Sequence, residues 1–167
     1  MSRPRKSRAA GSGSVPFLVL DENRLAWTAV DSACRDIDVD ALQLEAALIY
    51  GPSGCGKSHL CDLLVNAHKD AAKIVPSSEF VEQVTRNYKV ANTFDPASEY
   101  SPLKLLILED VQHLCRYQSA QRVFATLMDE LRRAETSVIC TSNQAPAELG
   151  GLIPRLANRF RGGLCVA

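Results

Sequence analysis

No two of the six cysteines (Cys34, Cys55, Cys61, Cys115, Cys140, Cys165) form a C-x-x-C pair. This removes the common zinc and dithiol frameworks, so neither a metal thiolate nor a disulfide is expected. Most of the six fall in apolar segments, where a thiol behaves as a small hydrophobe. His59, His68 and His113 share no metal-ligand spacing either. No apolar run approaches the ~20 residues of a membrane helix. The start of the chain lacks the apolar stretch of a secretory signal, so the expected location is cytoplasmic. No internal repeat is present. A dominant charge sign is missing too, since 19 bases face 19 acids. That balance is uneven along the chain. Arg3, Arg5, Lys6 and Arg8 fall within the first 16 residues, which hold no acid, leaving 15 bases against 19 acids in the rest. Residues 1–16, rich in Ser, Gly, Ala and Arg, cannot bury a core and are expected to form a disordered basic arm. Such an arm suits nucleic-acid phosphates or plain solvation equally well. The remainder, 17–167, has the size and composition of one soluble domain, with 46% apolar and 23% charged residues overall.

What is present most clearly is Gly51-Pro52-Ser53-Gly54-Cys55-Gly56-Lys57-Ser58, which meets every fixed position of the phosphate-cradling pattern G-x-x-x-x-G-K-[ST]. Glycines let successive backbone N–H groups turn inward around a phosphate with no Cβ in the way. Lys57 is expected to reach the β- and γ-phosphates of a nucleotide and the Ser58 hydroxyl to ligate Mg²⁺. The candidate binding run continues to His59 at the start of the following helix. Ala46–Tyr50 reads as a short buried strand leading into this loop. After it, Leu60, Leu63, Leu64 and Ala67 recur with the period of one helix face, whose N-terminus would meet the anion.

The coarse pattern along the chain alternates strands and helices. Phe17–Leu20 reads as extended, and Asn23–Ser32 as a helix bearing Leu25, Trp27 and Val30. Lys73–Val75 is a second short strand. Ser77 or Ser78 is expected to cap a helix carrying Phe80, Val81, Val84 and Tyr88. Ala91–Pro102, with two prolines, reads as a loop. Leu103–Leu108 has the near-continuous apolarity of a strand covered on both faces. Gln118–Arg133 is an amphipathic helix with Val123, Phe124, Leu127, Met128 and Leu131 on one face. Ser137–Cys140 and Leu164–Val166 complete the set. The implied fold class is α/β, a P-loop NTPase with a parallel sheet and helices on both faces.

Three further groups carry candidate chemistry. Leu105–Leu108 runs into Glu109 and Asp110, delivering two carboxylates to the carboxyl edge of the sheet, where open α/β folds bind ligands. One acid would hold the Mg²⁺ shell and the other would orient the attacking water; a strand end capping the next turn is the plainer reading. Val138–Ser142 ends at Asn143, placed to hydrogen-bond a γ-phosphate or the water, although Asn is also a common turn residue. Arg155 and Arg159 stand four apart, hence on one helix face. They read either as a basic surface or as an arginine finger that stabilises phosphoryl charge, often on a neighbouring subunit.

The order of Gly-Lys-Ser-His-Leu, Ser-Ser-Glu-Phe-Val, Leu-Glu-Asp-Val-Gln-His-Leu, Thr-Ser-Asn and Arg-Leu-Ala-Asn-Arg-Phe-Arg-Gly-Gly-Leu resembles the AAA+ ATPase domain of the bacterial replication initiator DnaA. The resemblance runs from about Phe17 to Ala167. It implies binding of ATP or ADP with Mg²⁺ by Gly51–His59, with Ser58, Glu109 and Asp110 toward the metal. It also implies a sensor 1 role for Asn143 and a finger role for Arg159, in the box VII segment with Arg155. Implied partners are further copies of the chain or a full-length initiator, together with single-stranded DNA. Two departures stand out. Glu109 occupies the position of the family's Mg²⁺-associated Asp, moving the carboxylate by about one bond length. Asn143 replaces an acid. The helical lid and the helix-turn-helix domain of the family lie outside this sequence, so sequence-specific origin reading by this chain alone is not expected. A helicase-loader or transposase-helper ATPase, and a non-catalytic regulator that docks on an initiator, remain as alternatives.

Overall fold

The structure, a computed structural model, describes residues 24, 26–28, 47–89, 95–162 and 164–166. The strands are Ala47–Tyr50 (β1), Ala72–Pro76 (β2), Leu105–Glu109 (β3), Ser137–Ser142 (β4) and Leu164–Val166 (β5). They form one sheet in the order β2-β3-β4-β1-β5. Every pairing is parallel, with Val75 beside Leu108, Ile107 beside Ile139, and Leu48 beside both Cys140 and Cys165. Parallel neighbours need crossovers, and helices supply them. They are Lys57–His68 (α1), Ser77–Lys89 (α2), Pro96–Tyr100 (α3), Gln118–Arg133 (α4) and Pro154–Gly162 (α5), with 3-10 turns at Lys69–Ala71 and Val111–Arg116.

Side chains alternate along each strand, so one apolar run feeds two cores. Leu106, Leu108, Leu48, Val138 and Cys140 join Phe80, Phe124, Leu127, Leu131, Leu156 and Phe160 on the face covered by α2, α4 and α5. Leu105, Ile107, Ala47, Ile49 and Ile139 join Leu60, Cys61 and Leu64 of α1, together with Ala26, on the other. The expected two-faced sheet is therefore present. Phe80 and Phe124 lock α2 to α4 edge-to-face, with ring centroids 5.7 Å apart.

Four details differ from the sequence reading. The segment expected to be a loop contains α3, opened by Asp95, whose carboxylate accepts from the Ala97 N–H at 3.1 Å, and by Pro96. Pro at the first helical position and Asp before it are a start signal that the second proline obscured. Tyr100 at its end is wholly buried. Ser77 is not a flanking cap but the first residue of α2, and its side chain is committed elsewhere. The buried face of α1 is Leu60, Cys61 and Leu64; Ala67 is exposed and Leu63 half-buried. β3 begins at Leu105, while β4 runs on to Ser142. The basic arm, the Phe17–Leu20 strand and most of the Asn23–Ser32 helix lie outside the described residues; within the last, Arg24 and 26–28 are helical.

Candidate functional site

The strand order decides which chain segments can meet. β4 lies between β3 and β1, so their carboxyl ends bring Glu109-Asp110, Thr141-Ser142-Asn143 and the Gly51–Gly56 loop into one row. Direct bonds tie the row together. The Gly51 N–H donates to the Ser142 carbonyl at 3.1 Å. The Asp110 N–H donates to Thr141 Oγ1 at 3.0 Å. Gln112 then bridges the remaining gap, with Nε2 donating to Asp110 Oδ1 at 3.0 Å and Oε1 accepting from the Asn143 N–H at 3.3 Å.

Within the loop, Gly54 (φ 84°) and Gly56 (φ 99°) take left-handed backbone conformations that strain a residue with a Cβ. Pro52 to Cys55 are exposed. α1 starts directly after Gly56, with no capping side chain and no acid in its first turn. Its positive end is thus left for an external anion. Lys57 Nζ lies across the loop, donating to the Gly51 and Pro52 carbonyls at 2.7 and 2.9 Å. Ser58 is exposed and His59 half-buried at the same helix end.

Asp110 has a φ of 58°, unusual for a residue other than glycine. Its surroundings over-determine it. Besides the Thr141 and Gln112 bonds, its carbonyl accepts from Ser77 Oγ at 2.6 Å and from the His113 N–H at 2.9 Å. Ser77 Oγ also lies 2.5 Å from the Glu109 carbonyl, so one buried hydroxyl holds the whole β3 terminus. Strain held this way is characteristic of sites with a fixed task. Burial, then Glu109 and Asp62, and also Asp110, push the Cys61 thiol up to about 12, while Lys57 opposes them.

Arg155 and Arg159 occupy a different part of the molecule, on α5. Both are paired through Nη2 with the two carboxylate oxygens of Asp129 on α4. Their common helix face agrees with the spacing in the sequence. Their shared acid has no local signal, since it lies 26 and 30 residues away. The start of α5 is held by Gln121, which is fully buried. Gln121 Nε2 donates to the Leu114 and Gly151 carbonyls at 2.8 and 3.0 Å, and Oε1 accepts from the Ile153 N–H at 2.6 Å. The roles of Gln112, Thr141, Gln121 and Asp129 escaped the sequence reading, and Ser77 was read only as a helix cap. Among the four, only Gln121 had a readable cue, being a polar residue on the apolar face of α4.

A parallel sheet whose β1 runs through a glycine loop into α1, with two acids ending a nearby strand, defines a P-loop NTPase core of the AAA+ type. The chain belongs to the bacterial DnaA ATPase domain family, whose profile matches residues 15–167. The chromosomal replication initiator DnaA of Campylobacter jejuni is 30% identical over 151 residues, covering 89% of this chain and 34% of that protein. The chain thus spans about a third of the length of such relatives. Two solved structures, the AMPPCP-bound DnaA from Aquifex aeolicus and a replication initiator DnaA bound to AMPPCP and single-stranded DNA, each superpose with a TM-score of 0.80 at 29% identity. Each match covers 90% of this chain and 47% of the other.

Proposed function

We propose that residues 17–167 form an ATP-Mg²⁺-binding assembly module that serves the initiation of DNA replication or its control, in the cytoplasm. The observation that carries this reading is the bonded row of loop, β4 end and β3 acids. It supplies backbone donors, a lysine, a hydroxyl and two carboxylates along one sheet edge. Within the loop Gly51–Gly56, the amides from Ser53 to Gly56, with Lys57, Ser58 and His59, bind the phosphates, while the Gly51 N–H ties the loop to β4. Ser58, Glu109 and Asp110 offer the oxygen donors that a hard cation prefers. Among the described residues no three His, Cys, Asp or Glu side chains could cage a metal by themselves, which fits Mg²⁺ held jointly with phosphate oxygens. When bound, the ion neutralises charge developing on the γ-phosphoryl group.

Glu109 and Asp110 hold the metal shell and orient water, while Asn143 reads the γ-phosphate. Arg159 supplies a cation to the nucleotide of a neighbouring copy or of a full-length initiator. Single-stranded DNA is a further partner, a reading supported by the related initiator that is bound to it. Residues 1–16 add electrostatic contacts to its phosphates. Among the described residues no helix is long and apolar enough to cross a membrane. Sedimentation velocity at several concentrations, with ATP and with ADP, tests the assembly. Wild type is expected to form larger species with ATP only, and Arg159→Ala to lose them. Equal sedimentation with both nucleotides, for wild type alone and with initiator added, contradicts the reading.

A further inference from the structure

The two arginines of α5 do not project freely. Each gives one Nη2 group to Asp129, the first to Oδ2 and the second to Oδ1. Asp129 and Arg159 are about one quarter exposed, at 26% and 25%, while Arg155 is 52% exposed. The helix that carries this carboxylate is anchored, because Met128 and Leu131 beside it on α4 are in the core. α5 is equally anchored by buried Leu156 and Phe160. From this geometry we infer that Asp129 is a positioning residue that holds Arg159, and with it Arg155, ready for phosphate oxygens presented by a second subunit. The inference rests on the reading of Arg159 given above.

Three physical points support alignment over sequestration. A guanidinium has five N–H donors, and a single contact through one Nη2 hydrogen leaves the Nε–H, the Nη1 hydrogens and the second Nη2 hydrogen for a second anion. One carboxylate between two guanidinium groups cancels one charge and leaves a net positive corner. It also relieves the repulsion between like charges four residues apart on a helix. Finally, long arginine side chains lose much rotamer freedom when they bind. A partner within the same chain that fixes them beforehand lowers the cost of the intermolecular contact.

The test compares ATP-dependent assembly of the full chain by sedimentation velocity for wild type, Asp129→Ala, Asp129→Asn, Asp129→Glu, Arg159→Ala and the double variant Asp129→Ala/Arg159→Ala. Asp129→Ala is expected to raise the concentration needed for assembly by about tenfold, the scale of ordering one or two side chains. Asp129→Asn, which keeps the shape and drops the charge, should move it in the same direction with little change in melting temperature. Asp129→Glu should recover part of the loss. The double variant should lose less than the sum of the two single changes, since Asp129 acts through Arg159 and Arg155. Additive losses, or Asp129→Ala assembling as well as or better than wild type while Arg159→Ala fails, overturn the positioning role and leave the finger reading standing. Arg159→Ala assembling like wild type, or a wild type that stays monomeric with ATP and with added initiator, overturns the finger reading and the inference together.

Discussion

The strand-end row and the arginine corner solve the problem of holding charged groups in different ways. In the row, the groups lie on consecutive residues at strand termini, and the backbone itself fixes them. The Gly51, Asp110 and Asn143 N–H groups all take part in the bonds that join the segments. At the corner, two long side chains on α5 are fixed by one carboxylate on α4. The first design ties the groups to the backbone and suits a ligand that must sit one way. The second holds two long side chains in place with N–H donors still open to a partner arriving from outside. On the proposed reading, binding belongs to the row and assembly to the corner.

The largest expected effect separates the two by rate. The dilute chain should hydrolyse ATP slowly if, as proposed, the stabilising cation comes from another subunit, a contribution on the order of 10³–10⁵ in rate. Single-turnover measurements at concentrations below and above the assembly threshold check this. Brisk turnover by the dilute chain would erase the distinction. Glu109→Asp should raise the assembled rate if carboxylate reach limits it.

Next in size is Gln121→Leu. It removes the partner of the Gly151 carbonyl and of the Ile153 N–H and one of the two donors to the Leu114 carbonyl, which keeps the Tyr117 N–H, and should cost roughly 2–4 kcal/mol of stability in urea unfolding. ATP affinity of the folded protein should stay within about twofold, as expected for sites that share no partners. A large loss of affinity would mean that the two regions are coupled through the turn Val111–Arg116.

The smallest effect sharpens the row itself. Thr141→Val keeps the buried shape but removes the acceptor of the Asp110 N–H, costing about 1 kcal/mol. It should weaken nucleotide binding about fivefold without shifting the assembly caused by a saturating nucleotide. The reverse pattern, intact binding with weaker assembly, would move Thr141 into the other region's account.

The legibility of the two regions follows from the same contrast. The glycine loop, the apolar strand ending in Glu109 and Asp110, and the face of α4 are local patterns, revealed directly by a fixed motif, an unbroken apolar run and a 3.6 period. β2, β3 and the sheet class were readable for that reason. Ser77 looked like a helix cap because its bonds to the β3 terminus span 32 and 33 residues. Gln112 sits two residues after Asp110 in a turn where no periodicity marks a role. Asp129 has no cue at all, since one more acid on a helix normally faces solvent. Helix α3 was hidden within a stretch read as loop because five residues are too few to show a period.

The central claim is that Gly51–Ser58 cradles nucleotide phosphates through its amides and Lys57. Titration calorimetry with ATP and Mg²⁺ on wild type and Lys57→Ala, each with its melting temperature recorded, tests it most directly. Binding by wild type and a loss of at least about 100-fold in Lys57→Ala at unchanged melting temperature is the predicted result, the scale expected when a charge-assisted contact to phosphate is removed. Equal affinity in both proteins would contradict the assignment of the loop.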